Sequence, residues 1–427
     1  MKRAALMAHL SRILLQEKPL GERLQAFLEA LLSEPWLTLE PKGAIFLRRG
    51  EKLYLLAEHQ LDEPLKTLCA RVPLGRCLCG RVGLLGEALW TRDVDEAHET
   101  RYPSMPSHGH AILPLRVGDR VLGVLNLYQS PGVRPSRQVQ ATLEEVAGIL
   151  ALTLLRERAE RVARVLRRVA TLVLEAEAEG AYLQGLCRFL VEEGYALAWV
   201  GEALPDGQVR PVEGAGAVGY LEGLRVRWDE TPEGQGPAGR AIRLGRPQVL
   251  RDREQDPLYA PWLQRARAFG LASIVGLPLQ VGGRIWGTLN VYAHEADAFD
   301  EEEISLLQDL AGLAGKALER FRAEARAHLL AQVVEQVPES ILLTDLSGQI
   351  IYVNPALSRQ TGYPPEEVLG QTPRIFKSGK HTEAFYRALW RTLAQGEVFS
   401  ALFWNRTKSG RIILEQKFLS PVRNPQG

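Results

Sequence analysis

The feature that most constrains the fold of this 427-residue chain is an internal repeat. The stretch GRCLCGRVGLLGEALWTRD, from Gly75, aligns with GQGPAGRAIRLGRPQVLRD, from Gly234. Further along, LPLRVGDRVLGVLNLY, ending at Tyr128, aligns with LPLQVGGRIWGTLNVY, ending at Tyr292. The offset grows from 159 to 164 residues between the two blocks, so the second copy holds five extra residues there. The repeat predicts two domains of one kind.

Each copy shows the same order of predicted elements: amphipathic helices, a hairpin, a glycine-punctuated block, a second hairpin and a long final helix. In the first copy, GAIFLRRGEKLYLLAEH predicts a hairpin that turns near Gly50 and Glu51. The second hairpins turn at Gly118-Asp119 and at Gly282-Gly283. Helices packed on an antiparallel sheet predict an α+β fold class.

The motifs of the second copy identify a family. They are GYALAWVG from Gly194, GQGPAGRAIRLGRP from Gly234, APW from Ala260 and AFDEEEISLLQDLAG from Ala298. With these motifs the repeated region resembles the GAF domains found upstream of bacterial histidine kinases and diguanylate cyclases. The resemblance implies two small-ligand sensors that also act as dimerisation modules.

A different pattern follows the repeats. The segment QVPESILLTDLSGQIIYVNPALSRQTGYPPEEVLGQTPRIF resembles a PAS domain, and strands are predicted at Ile341 to Thr344 and at Ile350 to Val353. In that family one more strand normally completes the sheet after the position of Gly427, so we expect an incomplete PAS-like domain and a truncated chain. Neither a GGDEF motif nor a kinase histidine box occurs in the sequence. We therefore expect a non-enzymatic sensor, as in two-component systems, whose C-terminal effector (diguanylate cyclase or histidine kinase) is missing.

Long helices are predicted to join the domains. A 3,4 spacing of apolar residues, typical of a coiled-coil seam, runs for three heptads through Leu152, Leu155, Ala159, Val162, Leu166, Val169 and Val173. It predicts a homodimer that passes a ligand-induced shift along paired helices. The alternative is an amphipathic helix packed on its own domain. The predicted organisation is GAF-like domain 1 at 1–155, a coiled-coil helix at 156–175, GAF-like domain 2 at 176–320, a connecting helix at 321–336 and the PAS-like domain at 337–427.

The first copy contains a set of residues suited to a transition metal: Cys77, Cys79, His98, His108 and His110. Thiolate and imidazole are the usual ligands of zinc and iron, and each short pair can place two donors on one turn or strand. The second copy has no such residues at the aligned positions, which are Gly236, Ala238, Pro257, Ala272 and Ile274. The fold therefore does not require them. The alternative is that the cysteines are small core residues.

The same cysteines support a second hypothesis for the function. Cys79 lies where the family begins a helix, and a helix N-terminus lowers a thiol pKa. Some GAF domains are free methionine-R-sulfoxide reductases, so the first domain is alternatively a thiol or metal enzyme of that kind, with Cys77 as the second thiol.

The sequence gives weaker indications of other classes of ligand. Trp199, Tyr259 and Trp262 in the second copy are candidates to line a small-molecule pocket, with ordinary core residues as the alternative. No cysteine lies beside a histidine, so a covalent bilin is not expected. Pro373 stands where photoactive LOV domains carry their cysteine, so a covalent flavin adduct is not expected either.

Charge and hydropathy limit the partners. The chain has 52 basic and 51 acidic side chains and a net charge of +1, which gives no attraction to nucleic acid or to anionic membranes. The longest apolar run, around Val146 to Leu155, is too short to span a bilayer, and the start, MKRAALMAHLSR, has no cleavable apolar segment, so we expect no leader. We therefore expect a cytoplasmic protein with reduced thiols.

Overall fold

The computed structural model describes residues 2–96, 98–103 and 105–423. The chain divides into two compact units, Met1–Leu318 and Glu319–Gly427. The first unit holds both repeats, which we call domain 1 and domain 2, and the second holds the PAS-like region.

Domain 1 is an antiparallel sheet between two layers of helix. Its helices are α1 (Lys2–Leu14), α2 (Leu20–Leu32), α3 (Glu63–Leu68), α4 (Cys77–Leu85) and the first half of α5 (Arg137–Glu175). Its strands are β1 (Gly43–Arg49), β2 (Lys52–His59), β3 (Arg71–Pro73), β4 (Leu89–Thr91), β5 (Gly109–Val117) and β6 (Arg120–Gln129). They form one six-stranded sheet in the order β3-β2-β1-β6-β5-β4. One core packs α1, α2 and α5 against the sheet, and a smaller core lies on the α4 side.

Domain 2 repeats this plan. It contains α6 (Glu179–Glu192), α7 (Pro237–Leu244), α8 (Leu263–Ala268) and the start of α9 (Glu301–Gln336). Its strands are β7 (Leu197–Ala203), β8 (Val209–Gly216), β9 (Gln248–Leu250), β10 (Ser273–Val281) and β11 (Arg284–Ala293), in the sheet order β8-β7-β11-β10-β9. The paired strands are antiparallel, and all three predicted hairpin turns lie between the expected strands. The predicted α+β fold is confirmed.

The five extra residues of the second copy lie in one loop. Residues 92–108 connect β4 to β5 in domain 1, whereas residues 251–272 connect β9 to β10 in domain 2. The longer loop folds into a 3₁₀ turn, Pro257–Trp262, followed directly by α8. The described part of the shorter loop contains no helix.

Helix α5 belongs to both domains. It begins at Ser136, whose side chain accepts a hydrogen bond from the Val139 amide. Its buried positions fall in two groups, the first in the core of domain 1 and the second, from Val165 to Leu172, near α6. Of the predicted seam, Val169 is fully buried within the chain, while Leu152 is 59% and Val162 39% exposed. The helix is therefore packed on its own domains along one face and exposes apolar residues along another.

The second unit has two antiparallel hairpins. One joins β12 (Leu342–Thr344) to β13 (Ile350–Val353), and the other joins β14 (Phe399–Arg406) to β15 (Ile412–Leu419). Between them lie α10 (Pro355–Thr361), α11 (Pro365–Val368), a 3₁₀ turn and α12 (Glu383–Ala394). Its small apolar core contains Ile350, Val353, Leu357, Val368 and Phe376.

Throughout the described ranges, we find no helix that combines the length and the apolar character needed to cross a bilayer.

Candidate functional site

Three buried histidines meet at one edge of the domain 1 sheet. His110 is the second residue of β5, His108 directly precedes that strand, and His98 reaches the same point from the 92–108 loop. Their exposed fractions are only 2%, 2% and 5%, respectively. One ring nitrogen from each lies within 4.8 Å of the others. We call these three side chains the histidine cluster.

The cluster is organised around the Nε2 atom of His110. The Nε2 atoms of His98 and of His108 each lie 3.1 Å from it. The His98 and His110 rings are stacked, and the His108 ring stands edge-on to both. Three imidazole nitrogens therefore point toward one small volume.

Neighbouring groups orient two of the rings through their other nitrogens. The Nδ1 atom of His110 donates to Oδ1 of Asn126, at 2.9 Å, and Nδ1 of His108 donates to the Pro106 carbonyl, at 2.7 Å. The Tyr128 ring packs against both, with centroid separations of 4.5 Å and 4.9 Å. Nδ1 of His98 has no hydrogen-bond partner within the described ranges.

Burial keeps two of the three imidazoles uncharged. It lowers the pKa of His110 to about 3, and the nearby His108 and His98 act in the same direction. Burial, followed by the effect of His108, also lowers the pKa of His98. Both imidazoles are therefore neutral at pH 7, which is the state that coordinates metals.

A second polar group lies beside the cluster. Lys42 and Tyr102 both hydrogen-bond the Asp62 carboxylate, and these bonds lower the pKa of Asp62. The Lys42 ammonium also lies 4.7 Å from the centre of the Tyr128 ring. Because the Asp62 carboxylate is already paired, it interacts mainly with Lys42 and Tyr102.

The two predicted cysteine ligands do not join the cluster. Among the described residues, the ligand group contains the three histidines alone. Cys79 lies in the first turn of α4 within the apolar core, and burial raises its pKa well above the ordinary thiol value. The prediction of a lowered Cys79 pKa was therefore wrong, because desolvation outweighs the helix N-terminus. Cys77 is half-buried and borders a groove of about 560 Å³ together with Arg71, Arg76 and Glu99.

The three aromatic candidates of domain 2 belong to its core. Trp199, Tyr259 and Trp262 are 0%, 3% and 5% exposed and pack in one apolar cluster. Their polar atoms are paired within the protein: Trp199 donates to Tyr292, Trp262 donates to the Arg225 carbonyl, and Tyr259 bonds Tyr220. Tyr259 alone of the three also borders a small cleft beside Arg240.

Several partners of the cluster were missed by sequence reasoning. Asn126 aligned with Asn290 as part of the repeat, but nothing in the alignment linked it to His110. The hairpin indicates that the two strands are neighbours, but its turn alone does not give the register that places these residues on one face. His110 pairs with Tyr128, and Asn126 is two residues away on the same face.

The arrangement has a limited set of chemical uses. Three imidazoles with convergent nitrogens can hold a borderline transition metal, and three protein ligands leave a coordination position for water or a small molecule. The buried thiol of Cys79 is poorly suited to nucleophilic attack, because the thiolate is the reactive form.

Family comparison agrees with this architecture. The family model described as GAF domain matches residues 17–155 and 176–319, and the model described as PAS fold matches residues 328–427. The chain belongs to the GAF domain family, with two copies followed by a PAS fold. These are sensory domains.

Curated relatives match over short stretches. The nitrogen fixation regulatory protein of Klebsiella oxytoca is 38% identical over 99 residues, which is 23% of this chain and 20% of that protein. The blue-light-activated histidine kinase of Brucella canis is 26% identical over 118 residues, 27% of this chain and 22% of that protein. The chain thus spans about a fifth of the length of these relatives.

Solved structures match one domain at a time. The GAF domain of A. aeolicus nlh2, in an inactive state, is 17% identical, with a TM-score of 0.32, and the match covers 36% of this chain and 97% of that one. Free methionine-R-sulfoxide reductase from Neisseria meningitidis, in complex with its substrate, is 22% identical, with a TM-score of 0.34. The match covers 39% of this chain and 93% of that one.

Proposed function

We propose that this chain is the sensory part of a signal-transduction protein. Small ligands or cofactors bind its GAF or PAS domains, and the connecting helices relay the change to an output domain outside residues 1–427. The domain limits we propose are those of the sequence: 1–155, 156–175, 176–320, 321–336 and 337–427. The regulatory names of the matched relatives support this role, and so does their much greater length.

The observation that carries the proposal is the path of α5. Its first half completes the core of domain 1, and its second half packs near α6 of domain 2 as one uninterrupted helix. A rotation or shift of this helix at one end must therefore change packing at the other, because buried helices move as rigid elements.

Ion pairs extend this path to the next helix. Arg161 of α5 makes two hydrogen bonds to Glu303, at 2.8 Å and 2.9 Å, and Arg158 lies 2.9 Å from Glu302. Glu303 is in the first turn of α9, which continues to Gln336. The contacts between α5 and α9 give a continuous route from domain 1 to the helix that leads into the PAS sequence.

The relay we propose works in a homodimer. Leu152 and Val162 are large apolar residues on an exposed part of α5, and they follow the 3,4 spacing of a coiled-coil seam. The exposed part of that seam, with Leu152 and Val162, suits the same part of a second copy, since isologous contacts close a two-fold dimer.

Sedimentation of the full chain tests the dimer. At tens of micromolar we expect twice the mass of one chain, and a monomer after the double substitution Leu152→Glu and Val162→Glu. Arg164→Glu, an exposed position on the opposite side of the heptad, is the matched control and should remain dimeric. A monomeric wild-type chain would contradict the dimeric relay.

A further inference from the structure

We propose that His98, His108 and His110 form a mononuclear site for a divalent transition metal of the zinc class, with a coordination position left for water or a small ligand. Metal binding is an inference from the geometry of the cluster. Its role as the signal received by domain 1 rests on the proposed function.

The first argument is the placement of protons. The Pro106 carbonyl can only accept a hydrogen bond, so the Nδ1 atom of His108 carries the proton and its Nε2 atom carries a lone pair. His110 donates from Nδ1 to the Asn126 oxygen, so its Nε2 atom also carries a lone pair. These two lone-pair atoms face each other at 3.1 Å.

With the Asn126 amide oriented so that its oxygen faces His110, no choice of tautomers satisfies all these contacts. His98 can donate one proton from Nε2 to His110, which leaves the contact between His108 and His110 unsatisfied. A bound cation converts both contacts into favourable interactions, because each Nε2 lone pair then points at positive charge. An unpaired buried polar contact is otherwise costly.

Two of the three nitrogen–nitrogen separations agree with shared coordination. Two nitrogens about 2.0–2.1 Å from one zinc ion and about 100° apart lie about 3.1 Å from each other. That is the separation found for His98 and His110 and for His108 and His110. The hydrogen bond from His110 to Asn126 supplies the outer-sphere support that metal-bound imidazoles usually have.

The donor set decides the class of metal. Within the described ranges, no carboxylate belongs to the ligand group, and magnesium and calcium prefer oxygen ligands. Imidazole nitrogens suit zinc, iron, cobalt, nickel and copper. Structural zinc sites have four protein ligands, whereas three leave a position open to exchange. The cluster is therefore suited to binding a ligand through its metal.

The second copy provides a control within the same chain. Pro257, Ala272 and Ile274 occupy the aligned positions, and Ile274 is part of an apolar core. Domain 2 folds on the same plan without any of the three imidazoles. A metal bound by the chain should accordingly depend on domain 1 alone.

The test is metal retention by the full chain. The protein is stripped with a chelator, incubated with Zn²⁺, passed through gel filtration and analysed for metal, and Co²⁺ is used in parallel for its visible absorption. We expect one ion per chain. The double substitution His108→Ala and His110→Ile, which installs the residues of the second copy, should weaken binding at least a hundredfold. His98→Ala, outside the strands, gives a second variant if that one does not fold.

Controls separate this site from its alternatives. His294→Ala, an exposed histidine of domain 2, should retain the ion, and so should Cys77→Ser and Cys79→Ser. A metal-free wild type, unchanged binding in the histidine variants, or equal loss in the cysteine variants would overturn the assignment.

Hydrogen exchange in α9, with and without Zn²⁺, examines the relay separately. A change in α9 on metal binding supports both the site and its regulatory role. Stoichiometric binding with no change in α9 would support the metal site and contradict the relay.

Discussion

Domain 1 and domain 2 fix the loop before their second hairpin in different ways. In domain 1 that loop brings His98 against His108 and His110, and the contacts are polar. In domain 2 the loop is longer, forms its own 3₁₀ turn and helix, and packs Tyr259 and Trp262 into an apolar core. The five strands of the domain 2 sheet correspond to five of domain 1, whose sheet has β3 as an additional edge strand.

The difference shows which residues the fold needs. Apolar burial holds the loop in domain 2, so imidazoles are not required for the architecture. Domain 1 instead buries three polar rings and leaves one of their contacts unsatisfied, which is unfavourable unless a cation occupies the site. The cluster is therefore best explained by binding.

The largest expected difference between the domains is their response to acid. His110 has a pKa of about 3 when folded and 6.5 as a free side chain, so between these values the unfolded chain binds more protons. The free energy of unfolding that this shift contributes is complete above about pH 6.5 and is lost as the pH falls toward 3, by on the order of 5 kcal/mol.

Hydrogen exchange of the metal-free chain measures this response. Peptides from β5 should lose protection between pH 6.5 and 3 much more than peptides from β10, since within the described ranges domain 2 has no buried histidine. The variant with His108→Ala and His110→Ile should remove most of the difference. Parallel loss of protection in both strands would contradict this prediction.

Alanine substitution at a glycine that the two domains share should have the same effect on stability in both. A Cβ atom on Gly80 would lie 2.3 Å from the Pro73 carbonyl oxygen, and one on Gly239 would lie 2.1 Å from that of Arg227. Backbone atoms cannot move aside cheaply, so Gly80→Ala and Gly239→Ala should each cost about 3 kcal/mol or more.

Gly148→Ala is the control for the glycine substitutions. A Cβ atom there meets nothing within 4 Å, and alanine favours helix over glycine by up to about 1 kcal/mol. Chemical denaturation followed by hydrogen exchange distinguishes the three variants. Tolerance of alanine at only one of the two matched glycines would show that the helices α4 and α7 are packed differently.

Much of the fold followed from local sequence, because hairpin turns and helix periods depend on near neighbours. Pairing between strands was harder. Counting back from the Gly118-Asp119 turn places His110 opposite Leu127, but a bulge after Leu115 shifts the register by one, and Tyr128 is the true partner. A one-residue shift reverses the face of every side chain, so the surroundings of His110 were not predictable from the turn.

The site was predicted in part. Comparison of the copies singled out the three histidines and also Cys77 and Cys79, since all five are absent from the second copy. Whether they meet depends on how the 92–108 loop folds back and on which side of α4 faces the core. Neither is a local property of the sequence, and the structure separates the thiols from the imidazoles.

Exchanging residues between the copies should have unequal effects in the two domains. Ile274→His places an imidazole in the apolar core of domain 2 without a prepared partner, at a cost of about 2 kcal/mol. In metal-free domain 1, the substitutions His108→Ala and His110→Ile remove the facing lone pairs. Their cost in stability should be at least about 1 kcal/mol lower than that of Ile274→His. The free energies of local opening of β10 and β5, obtained from hydrogen exchange, measure the two costs. Equal costs would mean that the cluster is not unfavourable without metal.

The smallest expected effect concerns the ion pair between α5 and α9. Glu303 lies three residues after Asp300, whose side chain accepts from the Glu303 amide, and the equivalent position in α5 is the buried Val139. Burial opposes ionisation of Glu303, yet hydrogen bonds from Arg161 and Tyr195 hold its pKa below the ordinary value. The carboxylate is thus ionised and bonded to groups outside its own helix.

A double-mutant cycle on Arg161→Ala and Glu303→Gln should give a coupling of about 1 kcal/mol, because the pair is bidentate but Arg161 is partly exposed. The control cycle is Arg156→Ala and Glu160→Gln, an exposed pair one turn apart on α5, which should couple by about 0.3–0.5 kcal/mol. If the Arg161 and Glu303 effects were simply additive, this ion pair would contribute no coupling between α5 and α9. The route from domain 1 to α9 would then depend on the buried face of α5, and substitutions there, rather than at the ion pair, would be needed to interrupt it.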